Sequence, residues 1–127
     1  MTRLMALALP MLFVSGASLA GGASYAGNWP LTVSDSQYTN GTYCLEVNNN
    51  GLAYLVIDGE TLYGTYRLLD GQILVTNETQ GGEGQNDGLV FVAKAKNGNI
   101  GNGVYDDVAD GEALDSGKVA FGTKGGC

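Results

Sequence analysis

From residue 28 onward the chain alternates apolar and polar positions in short runs, and these runs are cut at intervals by Asn-Gly or Asp-Gly. Residues 42–47 show the pattern most plainly. Tyr43, Leu45 and Val47 fall on one face, and Thr42, Cys44 and Glu46 on the other. A period of two marks a strand with one buried face. Residues 89–95 repeat it, with Leu89, Phe91, Ala93 and Ala95 opposed to Val90, Val92 and Lys94. Residues 118–123 predict a last strand with Val119 and Phe121 inward and Lys118 outward. Residues 28–33, 61–69, 73–75 and 100–108 supply further strands, and Tyr63 and Tyr66 sit on opposite faces of theirs. Pro30 lacks an N–H to give to a ladder, so it belongs at a strand start or edge. Residues 52–57 are almost wholly apolar, which predicts a central strand covered on both sides. Gly64 predicts a bend or bulge within its strand.

The punctuation is as informative as the runs. Asn50-Gly51, Asp58-Gly59, Asp70-Gly71, Asp87-Gly88, Asn97-Gly98 and Asp110-Gly111 each border an apolar segment. Asn and Asp tolerate positive φ and Gly adopts it freely, as tight hairpins require. The reading is an all-β fold, a small antiparallel up-and-down meander of about eight strands. Regular turn spacing and the lack of a long crossover favour a closed barrel over a two-sheet sandwich. No amphipathic helix is predicted, and residues 112–115 make one helical turn at most. Between Asn77 and Asp87 there is no apolar residue, which predicts a surface loop.

Residues 1–20 stand apart. Arg3, an apolar stretch over 4–14 and small residues ending in Ser18 and Ala20 have the layout of a secretory signal peptide cleaved after Ala20. The apolar stretch is too short to span a bilayer. The expected mature form is a single all-β domain, 21–127, secreted or periplasmic, with no membrane insertion. In that oxidising setting Cys44 and Cys127 predict an internal disulfide; the alternatives are an intermolecular bridge through Cys127 or two free thiols. An internal bridge closing so long a loop stabilises by roughly 4 kcal/mol in the chain-entropy model.

Charge and composition exclude more than they select. The chain has 13 acidic residues against 6 basic ones, a net charge of −7, and no histidine. Such a balance repels nucleic acid and anionic membranes and favours cationic partners. Without histidine there is no Ser-His-Asp or Cys-His constellation and no His-based zinc site. The glycine clusters are not followed by helices, so they are not phosphate cradles. Carboxylates remain, among them Glu46, Asp58, Glu60, Glu78, Asp106 and Asp107, mostly beside turns where solvated acids are routine. The expectation is a protein that is not an enzyme, with no catalytic residue and no cofactor. Calcium is the one ion with a candidate location, in Asp106, Asp107, Asp110, Glu112 and Asp115 or in the segment 81–87, which resembles one unit of the calcium-binding nonapeptide repeat but has Asn86 at the Asp position and no second copy. The Asn-x-Thr sequons at Asn40 and Asn77 are meaningful only in a eukaryotic host.

Tyr43 with Cys44, and Cys127 at the other end of the chain, resemble in placement the cysteine pair of small periplasmic lysozyme inhibitors. Those are secreted eight-stranded β domains, and the resemblance implies a similar fold. The Ser-Gly-x-x-Tyr loop of that family is absent, so no functional residue is carried over. Gly64-Thr65-Tyr66 is similar to a tripeptide of biotin-binding barrels and implies nothing further.

Two function classes follow. The first is a barrel-shaped binding module holding a small ligand, with Trp29, Tyr43, Tyr54 and Tyr66 near its mouth, since aromatic rings with polar tips suit a cavity lining. The second is an extracellular protein-interaction module, inhibitor or adhesin-like, that binds a basic partner through the acidic loops over 77–87 or 106–115.

Overall fold

The computed structural model describes residues 24–78, 88–109 and 111–127. The leader over 1–20 and most of the loop over 77–87 therefore lie outside the described residues. Eight strands follow in chain order: β1 (Gly27–Ser34), β2 (Gly41–Val47), β3 (Leu52–Ile57), β4 (Glu60–Leu69), β5 (Gln72–Glu78), β6 (Gly88–Lys96), β7 (Asn99–Ala109) and β8 (Glu112–Phe121). Each pairs antiparallel with the next, and β1 pairs with β8, which closes the barrel. Closure leaves no free sheet edge, the exposed backbone template that open sheets must otherwise protect.

The turn residues act as their chemistry predicts. Asp58 and Gly59 have φ of 51° and 80°, and Asn97 and Gly98 have 55° and 82°. Two consecutive positive φ values define the type I′ hairpin, whose twist matches that of the flanking strands. Asp87-Gly88 is different, since Gly88 already belongs to β6.

The inward face of the meander is the core. Trp29, Leu31, Leu45, Leu55, Ile73, Val75, Phe91, Tyr105 and Val119 are all buried and come from seven of the eight strands. At mid-height the Phe91 and Tyr105 rings, which are register partners, stack with centroids 5.6 Å apart. An eight-stranded barrel is just wide enough for side chains to fill, and this one is filled. Leu45, Leu55 and Phe91 occupy the volume that an enclosed ligand would need.

Three local expectations are corrected. β3 is covered on one side only: Ala53 and Leu55 point inward, whereas Val56 is 45% exposed on the outer wall. A closed barrel has no second layer to cover that wall. Residues 112–115 are strand, paired with the end of β7, rather than a helical turn. Gly64 marks neither a bulge nor a break, since its register with β3 and β5 is continuous. It is there because the strands approach closely: a Cβ at that position would stand 1.9 Å from the Thr76 carbonyl oxygen. The true register shifts fall between Ala93 and Ala95 and between Asp107 and Val108. In the second, the pairs Asp107–Asp115 and Val108–Ala113 leave Leu114 without a partner, and beyond this bulge the side chain of Asp115 is turned inward.

Candidate functional site

The barrel has two ends. At the first lie the β1–β2 link, the Asp58-Gly59 turn, the ends of β5 and β7 and the starts of β6 and β8. At the second lie the β2–β3 turn, the Asp70-Gly71 and Asn97-Gly98 turns, and the segments that precede β1 and follow β8.

The first end is organised by Asp115. Its carboxylate accepts the backbone N–H of Gln37 at 2.8 Å and of Tyr38 at 3.1 Å, together with the Ser116 N–H at 2.9 Å. The Thr39 hydroxyl donates to it at 3.3 Å and lies 2.7 Å from the Tyr105 hydroxyl, which donates to Thr39 in turn. The carboxylate thus ties the β1–β2 link to the ring stack in the core. These hydrogen bonds hold its pKa below the ordinary value, the Gln37 amide contributing most. Tyr105 is shifted the other way: burial pushes its phenol up to about 12, opposed by its contact with the Thr39 hydroxyl and reinforced by the charges of Asp107 and Asp115. Tyr43 completes the frame by donating from its hydroxyl to the Thr39 carbonyl at 2.8 Å. Burial and then the charge of Asp58 raise its pKa.

Beside this frame is a hollow of about 270 Å³. Ile57, Leu62 and Leu89 form its apolar wall, and Thr39, Asp58, Glu60 and Asp107 its polar rim. Asp35, Glu78, Asp106 and Glu112 also lie at or near this end of the barrel. The described cation nearest to them is Lys118, which pairs with Asp35 at 3.3 Å in an exposed bridge. Eight described carboxylates therefore share one end, and the side chains of Asp58 and Glu60 have no hydrogen-bond or ion-pair partner among the described residues. Just beneath, Asn77 is fully buried and donates its amide to the carbonyls of Ala53 at 2.9 Å and Leu62 at 3.2 Å, while its Oδ1 accepts no hydrogen bond from the described residues.

The four aromatic residues singled out from the sequence do not converge. Tyr43 is at the first end. Trp29 is in the core towards the second end, 1% exposed, and donates Nε1–H to the Tyr25 carbonyl at 2.9 Å. Tyr66 points inward and donates to the Asn48 carbonyl of the β2–β3 turn. Tyr54 is on the outer wall, edge-to-face with Tyr63 at 5.3 Å. The network of Asp115, Thr39 and Tyr105 has no local signature in the sequence, because Thr39 stands 66 residues from Tyr105 and 76 from Asp115. Only the acidic run over 106–115 hinted at it. Among the described residues no three Asp, Glu, His or Cys side chains gather so as to hold a metal ion. Asp110 and the segment 81–87, half of the calcium expectation, lie outside the described residues.

Cys44 and Cys127 form the predicted internal disulfide, with Cα atoms 5.9 Å apart. No helix among the described residues is long and apolar enough to cross a membrane. Fold and site together define a disulfide-bonded, side-chain-filled, eight-stranded up-and-down barrel with an acidic end. Comparison of the chain with protein-family models, curated proteins and solved structures finds no match.

Proposed function

We propose that this protein is a small secreted interaction module, not an enzyme, that engages a positively charged protein partner at its acidic end. The observation that carries this reading is the segregation of charge: among the described residues, eight carboxylates and one lysine, paired with Asp35, lie at one end, around a hollow with an apolar wall. A carboxylate rim over an apolar wall complements a lysine or arginine side chain, whose aliphatic stem seeks apolar contact and whose head seeks an acid. The uncompensated field also steers a cationic partner toward that end. The leader-like first 20 residues and the disulfide support an extracellular or periplasmic site of action. The outer wall carries Arg67, Lys94, Lys118 and Glu46 around an apolar interior, the inverse of a membrane barrel.

The ligand-enclosing reading is weaker, because the interior is occupied by its own side chains. Titration calorimetry with poly-lysine and with a panel of basic secreted proteins tests the proposal. Binding should weaken steeply between low and physiological salt, and D58N/E60Q should abolish most of it. Affinity indifferent to salt, or unchanged in that variant, would reject this end as the interface.

A further inference from the structure

We propose that the Cys44–Cys127 disulfide is a redox-sensitive latch that holds residues 122–127 as a strap over the seam between β1 and β8, and that its reduction uncovers Trp29. The direct pairing of β1 with β8 runs only from Leu31–Phe121 to Ser34–Lys118. Over Asn28, Trp29 and Pro30 the seam is completed by the strap instead, through Gly122 N–H to the Pro30 carbonyl and Gly125 N–H to the Asn28 carbonyl, both 2.7 Å. Lys124 carries its ammonium 5.9 Å from the centre of the Trp29 ring and donates to the Ser24 carbonyl at 3.3 Å. Every residue of 122–127 is itself exposed, so Lys124 lies over the Trp29 ring from a segment at the surface. Cys44, the register partner of Pro30, anchors it covalently to the outer wall of β2.

The chemistry needs a dithiol reductant. Its thiolate attacks the Sγ of Cys127, an exposed residue, the Cys44–Cys127 bond breaks, and a mixed disulfide forms while Cys44 leaves as thiolate and takes up a proton. The second thiolate of the reductant then attacks its own sulfur in the mixed disulfide, and Cys127 leaves and is protonated. The protein has gained two electrons and two protons, and the reductant has become a cyclic disulfide. Two main-chain hydrogen bonds and the Lys124 contacts then remain to hold the strap, and eight paired strands remain to hold the barrel.

Trp29 is the only tryptophan in the chain, so its fluorescence reports the strap directly. The full protein is treated with dithiothreitol in native buffer while thiols, tryptophan emission, acrylamide quenching and far-ultraviolet circular dichroism are followed. The expected result is two thiols per chain, a red shift of emission and a several-fold rise in quenching, with the strand signal retained and the emission restored by oxidised glutathione. C44S/C127S should show the reduced-state emission without reductant. Three results overturn the proposal: thiols that appear without a change in Trp29, a bond that resists native reduction, or loss of the strand signal together with the emission shift. The last outcome, or a double variant that fails to fold, makes the bond a staple of the whole fold rather than a latch.

Discussion

The two ends of the barrel are held by different means. The acidic end is held by a carboxylate: Asp115 binds the backbone of the β1–β2 link and reaches the core through Thr39 and Tyr105. The opposite end is held by a covalent bond, a strap and a lysine laid over a tryptophan. The difference separates two tasks. A hydrogen-bonded frame leaves Asp58 and Glu60 facing solvent, where the proposed partner would meet them, whereas the largest side chain of the core, Trp29, lies towards the strapped end. Excess negative charge is also easier to tolerate where carboxylates are solvated, and the buried carboxylate among the described ones, Asp115 at 8% exposed, is the one that receives four donors.

The core is what the two ends share, and F91A is the substitution that should affect both. Loss of a fully buried ring from the stack should cost about 3–5 kcal/mol in denaturant unfolding, with hydrogen exchange accelerated at both ends. Acceleration confined to one end would show that the ends unfold separately. G64A comes next, since its Cβ would meet the Thr76 backbone, which cannot yield as a flexible side chain would. A destabilisation of about 1–3 kcal/mol is expected for such overpacking.

Acid and alkali should sharpen the contrast, because the titrating frame belongs to one end only. The Asp115 pKa is lower in the folded protein than in the unfolded chain, so its stabilisation is present above the unfolded value and is lost as pH falls through the folded one. D115N should remove that acid dependence and expose the Gln37 and Tyr38 amides to exchange, while Trp29 emission stays unchanged. Tyr105 behaves in the opposite direction. Its neutral form is favoured in the folded state, so stability should hold up to pH 10 and decline toward 12, where its ionisation appears in ultraviolet titration. Y105F should flatten this alkaline limb. The smallest effect on stability is expected for D58N/E60Q, within about 0.5 kcal/mol of the parent, because both acids are exposed and have no hydrogen-bond or ion-pair partner among the described residues. A large loss there would mean that the acidic rim is structural and not kept for a partner.

The sequence by itself determined the strands, the inward faces and most of the turns. Alternation such as that of Tyr43, Leu45 and Val47, and turn pairs such as Asp58-Gly59, act over a few residues, so they can be read without knowing what lies across the sheet. The cysteine pairing was legible because two cysteines allow only one internal bridge. Closure of β1 onto β8, the bulge at Leu114, the meeting of Asp115 with the Gln37 and Tyr38 amides and the gathering of carboxylates at one end were decided by the tertiary structure. Each depends on strand register and barrel closure across long separations, and no local pattern encodes which distant backbone amides an aspartate will meet. The aromatic residues show the same limit. Trp29, Tyr43, Tyr54 and Tyr66 have similar local surroundings in the chain, yet the closed sheet sends them to the core, to both ends and to the outer wall, because their heights and faces are set by the register of strands that the residues themselves do not specify.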